Sequence, residues 1–177
     1  RLFLRCGHGV QFGYGIILRH PGRIALGDRV IFGEQCILDA RNDGVEQAIE
    51  IGDDAMFANA VSVTTKGGTI NIGRNTGIGT QTVIQSTHDC PTRIGRDCII
   101  GPQCYLVGGG NYHFEQLDVP IREQGIKPDS GCHLQDNVWL GGRVSVLGGV
   151  TIHSGSIAAS GAVVNKDVAE NMIVGGV

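Results

Sequence analysis

The chain has 177 residues, a formal net charge of −3, 29 glycines and only 5% aromatic residues. That length suits a single domain, residues 1–177, with one continuous core. No Lys/Arg-rich run is present and no apolar stretch approaches the roughly 20 residues of a membrane helix, so nucleic acid and membrane insertion are set aside.

The chain opens on Arg1 rather than Met and without a signal peptide, which points to a trimmed or partial sequence. From about Phe12 onward, a large apolar residue recurs at every sixth position. The series reads Leu26-Phe32-Leu38, Ile51-Phe57-Val63, Ile72-Ile78-Ile84, Ile94-Ile100-Leu106 and Leu134-Leu140-Val146. The second residue of each hexad is often Gly, and the fifth is small or β-branched. A helix needs apolar residues every three to four positions and an amphipathic strand every two, so a period of six fits neither. It fits a parallel β-helix in which each hexad is a short flat strand plus a corner.

The hexads group in threes. Leu18 to Leu26 is 8 residues, Leu38 to Ile51 is 13, Val63 to Ile72 is 9, Ile84 to Ile94 is 10 and Leu106 to Leu134 is 28. Every insertion follows a third hexad, which predicts about seven triangular coils with one tolerant corner. At about 4.8 Å per coil the prism would be roughly 30–35 Å long. The glycine content is expected to supply corners of unusual φ/ψ, and no stretch predicts a helix. The longest insertion, 107–133, predicts an extended active-site loop.

The six cysteines include no C-x-x-C pair. Cys36, Cys98 and Cys104 fall in the small fifth slot of a hexad and are expected to be buried, reduced thiols, which implies a cytoplasmic protein. Of the six histidines, His113 lies in the long insertion, where functional residues concentrate. An imidazole titrating near 6.5 suits a general base at neutral pH, the alternative being a surface histidine on a flap. His88, in Gln85-Ser-Thr-His-Asp-Cys, is expected at the same corner one coil earlier.

The stretch Val138-Trp-Leu-Gly-Gly-Arg-Val-Ser-Val-Leu-Gly-Gly-Val-Thr-Ile, followed by Ala158-Ala-Ser-Gly-Ala-Val-Val-Asn-Lys-Asp-Val, resembles the C-terminal signature of the hexapeptide-repeat acyltransferases. Tyr112-His-Phe-Glu-Gln-Leu-Asp-Val-Pro-Ile-Arg-Glu-Gln-Gly is similar to the loop of that family's sugar and polysaccharide O-acetyltransferase branch. The likeness spans the chain as a repeat and is specific over 105–175. It implies a left-handed coil, a homotrimer with active sites between subunits, and acetyl-CoA as donor. It also matches His113 to the family's catalytic histidine and Gly142 to a backbone oxyanion donor. Ser160, Asn165 and Lys166 match coenzyme-contacting positions. This chain departs from the family at Ala158 and His153, and it stops at Val177 where the family continues with a Pro and a basic tail.

These matches leave a defined set of expected roles. Trp139, last in its hexad, points outward towards a neighbouring subunit or the pantetheine arm. Together with Gly142, Ser160, Asn165 and Lys166 it would bind the coenzyme, the alternative for Lys166 being a solvated corner lysine. Gln85, His88 and Tyr112 would line the pocket of a small-molecule or saccharide acceptor, the alternative for His88 being a structural role at its corner. Gly141 and Gly142 either admit a thioester to the backbone or simply form a flat corner. Glu115 or Asp118 either orients the His113 ring or is a solvated loop acid. No Ser or Cys stands beside His113 in sequence, so direct attack by the acceptor hydroxyl is expected rather than an acyl-enzyme.

Three alternatives stay open. The first is N-acetyl transfer, including antibiotic modification, on the same scaffold. The second is a non-catalytic solenoid, and the third a carbonic-anhydrase-like trimer with a His₃ metal site, although no metal is expected.

Overall fold

The computed structural model describes residues 2–177. Three parallel sheets of seven, eight and seven strands run the length of the molecule, with a separate two-stranded antiparallel pair. One coil illustrates the rest: Ile49–Ile51 lies in the first sheet, Met56–Phe57 in the second and Ser62–Lys66 in the third. Each strand pairs with the strands one coil before and one coil after it, always parallel within these three sheets. The molecule is a left-handed parallel β-helix of about seven coils. The solenoid begins earlier than the expected Phe12, at Arg5–Cys6, where Cys6 pairs with Leu26. Cys6 occupies the apolar first slot one hexad before Phe12, and a small residue there hides the periodicity.

First-slot side chains point inward and stack: Leu26, Leu38, Ile51, Ile84, Leu106, Leu140 and Ile152 are fully buried. At the N-terminal end Phe3, Phe12, Phe32 and Phe57 form an aromatic stack with centroid spacings of 5.8, 5.2 and 4.7 Å. Each such pair contributes about 0.5–1.5 kcal/mol beyond its burial. Fifth-slot residues such as Val30, Ala55, Val61, Val138 and Val144 fill the corners from inside.

The role expected for glycine holds in part: Gly9, Gly15, Gly149, Gly155 and Gly161 take left-handed backbone at coil corners, with φ between 70 and 86°. Left-handed backbone falls at the fourth slot, where it is mostly taken by other residues: Arg29, Gln35, Asp54, Ala60, Asn75, Gln81, Asp97, Gln103, Asn137 and Arg143, with φ between 54 and 60°. The second-slot glycines have ordinary φ and serve close stacking instead. A Cβ on Gly101 would stand 2.6 Å from the backbone of Gly141 and Gly142 in the next coil. At Gly101 the neighbouring coil leaves no room for a side chain, whereas Ala58, Gln135, Leu147 and His153 occupy the same slot elsewhere.

All six cysteines are free, and only Cys6 is exposed. The thiols of Cys36, Cys98 and Cys104 donate to Ala58, Gln135 and Gly141 carbonyls of the next coil at 3.1–3.2 Å. Burial raises the thiol pKa of each, and pushes Cys132 up to about 12, so none of the four is a thiolate nucleophile at neutral pH.

Insertions occupy the corner between the third and first sheets. The longest leaves after Tyr105–Gly108 and returns at Cys132–Leu134, so its free part is shorter at both ends than 107–133. Inside it, Asn111–Tyr112 pairs antiparallel with Ile126–Lys127, a ladder too short to be read from periodicity.

Candidate active site

The excursion is a hairpin whose tip is organised by one amide. Gln124 Nε2 donates to the carbonyls of Gln116 and Val119, both at 2.8 Å, and its Oε1 accepts the Gln116 N–H at 3.1 Å. His113 follows the Asn111–Tyr112 strand, and its N–H donates to Gly125 O at 3.1 Å across the hairpin. Its ring is half-exposed, and Nδ1 lies 3.4 Å from Glu115 Oε2. Glu115 in turn accepts from Phe114 N–H at 3.0 Å and from Lys127 Nζ at 3.2 Å. Lys127 also sits over the Phe114 ring, 5.7 Å from its centroid.

The Glu115 carboxyl is therefore held at about 2 instead of 4.5, first by its own N–H and that of Phe114, then by Lys127. Because this value is lowered, the carboxylate's stabilisation is complete above pH 4.5 and is lost as pH falls towards 2. At neutral pH an anion stands beside the imidazole. By carboxyl ¹³C NMR, Glu115 is expected to titrate near 2. Lys127→Ala should raise that midpoint but leave it below 4.5, since the backbone donors remain. A wild-type midpoint of 4.5 would mean that the triad of Lys127, Glu115 and His113 does not persist in solution.

Asp118 is exposed and makes no ion pair with His113 among the described residues, whereas Glu115 does, so of the two acids left open it is Glu115 that stands by the ring. Tyr112 is exposed, opposite Ile126 in the hairpin. His88 lies at the same corner one coil earlier, exposed and in left-handed backbone with φ 49°, its N–H donating to Lys66 O at 3.0 Å. Gln85 lies on the adjoining strand and accepts from the Tyr105 hydroxyl at 3.3 Å. Asn165 and Lys166 follow Val163–Val164 and reach the same edge of the prism further along, both exposed.

Gly142 and Ser160 lie on a different edge, between the second and third sheets, on adjacent coils. Gly141 passes close over Ser160, whose N and Oγ would stand 2.6 Å from an added Cβ. The Gly142 N–H has no acceptor among the described residues, while its carbonyl takes the Gly161 N–H at 2.9 Å. Trp139 is on the outer face of the second sheet and 51% exposed. Within one chain, then, the residues from sequence divide between two edges, with the third sheet separating His113 from Gly142.

Trp139 belongs to an outward ladder that periodicity alone did not display. Ile31, Met56, Gly77, Ile99, Trp139, Ile157 and Ile173 pair in register down the second sheet. Met56, Ile99 and Ile173 are 56, 62 and 72% exposed. The sixth hexad slot that holds them carries Ala25, Glu50, Asn71, Arg93, His133 and Thr151 on the first sheet but a mixture including Ile17, Ile37, Ser62, Val83, Tyr105 and Ser145 on the third, so tabulating that slot for each side of the coil separates the stripe from the polar first sheet alone.

No group of three or more His, Cys, Asp or Glu side chains converges as a metal site among the described residues. No helix is long and apolar enough to cross a membrane.

No family model matches the chain. In sequence it is similar to three proteins named "Putative acetyltransferase". One from Schizosaccharomyces pombe is 40% identical over 83 residues, which are 47% of this chain and 38% of that protein. A second, from Saccharomyces cerevisiae, is 42% identical over 60 residues, 34% of this chain and 31% of that protein. The third, from Staphylococcus aureus, is 29% identical over 92 residues, 43% of this chain and 46% of that protein. The matched stretch spans less than half the length of each.

Two solved structures share the fold. An N-acyltransferase from Bacillus cereus, captured with coenzyme A and dTDP-4-amino-4,6-dideoxyglucose, superimposes with a TM-score of 0.61 at 17% identity, covering 99% of this chain and 81% of its own. The polySia specific acetyltransferase NeuO gives 0.53 at 22% identity, covering 98% and 81%. The chain is thus similar in sequence, over less than half its length, to proteins named as putative acetyltransferases, and it shares its fold with two acyltransferases of known structure.

Proposed function

We propose that the protein transfers the acetyl group of acetyl-CoA to a hydroxyl of a sugar or polysaccharide acceptor. The carrying observation is the half-exposed His113 beside the ionised Glu115 on the one long excursion of the solenoid. With Nδ1–H turned to Glu115, Nε2 is the nitrogen that takes the hydroxyl proton. The acceptor oxygen attacks the thioester carbon, and the oxyanion forms against the unpaired Gly142 N–H. Collapse expels the coenzyme A thiolate, which recovers the proton from the imidazolium. Burial of the structural thiols argues against an intermediate on cysteine.

The coenzyme would run past Trp139 and Ser160, with Lys166 or Asn165 meeting its phosphates. Since His113 and Gly142 occupy different edges, the complete site in this reading lies between copies of a homotrimer, and Gln85, His88 and Tyr112 face the acceptor. The reduced thiols fit a cytoplasmic setting.

Titration calorimetry with acetyl-CoA tests the donor, and thiol release with sugars and amino sugars tests the acceptor. One coenzyme site per chain, with turnover on a hydroxyl, supports the reading. Turnover only on amino sugars would move it to N-acetylation, and no coenzyme binding would remove it.

The apolar ladder gives the assembly its own test. Light scattering is expected to give three times the 18.7 kDa chain mass. Ile99→Asp should reduce this to one without unfolding the coil, because Ile99 points away from the core. A variant that stays trimeric would move the interface off the second sheet.

A further inference from the structure

We infer that Asp129 is a positioning residue that fixes His113 on the solenoid by clamping the neck of the excursion. The role of His113 rests on the acetyl-transfer reading; the clamp itself is a matter of geometry. Asp129 stands on the return arm, yet its carboxylate engages both arms. Oδ1 accepts the N–H of Gly109 at 3.1 Å from the outgoing arm and that of Gly131 at 2.8 Å from the returning one. Oδ2 accepts Asn111 Nδ2 at 2.7 Å. Three donors on one anion are charge-assisted bonds, stronger than neutral ones.

The surroundings are cut to admit this side chain. Gly109 and Gly131 have φ of +78 and +95°, in the left-handed range that favours glycine, and from there present both N–H groups to one oxygen. Gly148 of the next coil passes so close to the carboxylate that a Cβ there would collide with it. Gly149 N–H then donates to Gly131 O at 2.7 Å. On the other side, Asp129 N–H reaches Cys90 Sγ at 3.4 Å in the preceding coil. Asp129 therefore ties both arms of the excursion together and to the preceding coil, and Gly131, which it holds, is bonded to the following one.

Asn111, the side chain held by Oδ2, is two positions before His113 and opposite Lys127 in the hairpin. Lys127 holds Glu115, and Glu115 stands against the imidazole. The line from Asp129 to the His113 ring is thus continuous in hydrogen bonds and chain.

The test uses the full chain. Asp129→Ala should make the amides of 109–131 exchange faster than wild type while the solenoid amides keep their protection. The His113 ring signals should broaden or shift in NMR. With acetyl-CoA and an acceptor, kcat should fall about 10²-fold with coenzyme affinity unchanged. In a His113→Ala background the same substitution should cost less than about threefold, since a misplaced base that is already absent has nothing more to lose.

Unchanged exchange and unchanged His113 signals would overturn the clamp, and an equal loss in both backgrounds would overturn its action through His113. The exchange and NMR arms stand if the protein proves not to transfer acetyl, so failure of that reading is distinguishable. Should Asp129→Ala not fold, Asn111→Ala removes a single bond of the clamp and is read in the same ways.

Discussion

Replacing His113 with Ala is expected to lower turnover by about 10²–10⁴-fold while leaving acetyl-CoA affinity within about twofold of wild type. The side chain lies on the excursion, half-exposed and beside Glu115, and is not part of the buried core, so its loss is expected to leave the coil intact. Steady-state kinetics with calorimetry on the same sample separates the two effects. Equal activity in the variant would take His113 out of the mechanism, whereas lost coenzyme binding would mean that the excursion also shapes the donor groove. Glu115→Gln keeps the shape but removes the anion, and belongs in the same series with a smaller loss.

The second large effect falls on stability. Gly101→Ala is expected to cost about 3 kcal/mol, because the new methyl would press on backbone of the next coil, which cannot swing aside as a side chain can. Gly161→Ala provides the contrast: no atom lies within 4 Å of its added Cβ, and only the left-handed φ of +79° opposes it, at about 1 kcal/mol. Urea unfolding of both variants measures the difference. Equal losses would mean that backbone conformation, rather than coil stacking, selects glycine in this chain.

Several features needed no coordinates. Period six, with insertions gathered after every third hexad, determined three sheets, one tolerant corner and the inward series from Leu26 to Ile152, because each of these repeats a local rule along the chain. The excursion and its histidine were legible for the same reason, as an interruption of that rule. Cys6 concealed the first strand, since a small residue in an apolar slot breaks a pattern read from size.

What only the tertiary structure decided lies across coils or across the hairpin. Glycine at the second slot looks from sequence like a turn residue, and only the backbone of the next coil, 2.6 Å from where a Cβ on Gly101 would stand, shows it to be a stacking residue. Glu115, Lys127 and Asp129 become neighbours of His113 or its support once Asn111–Tyr112 pairs with Ile126–Lys127. His113 and Gly142 fall on separate edges because their corners follow different sheets. Periodicity records which way a residue faces within its own coil; which residues meet is set by strand pairing and chain reversal between segments distant in sequence.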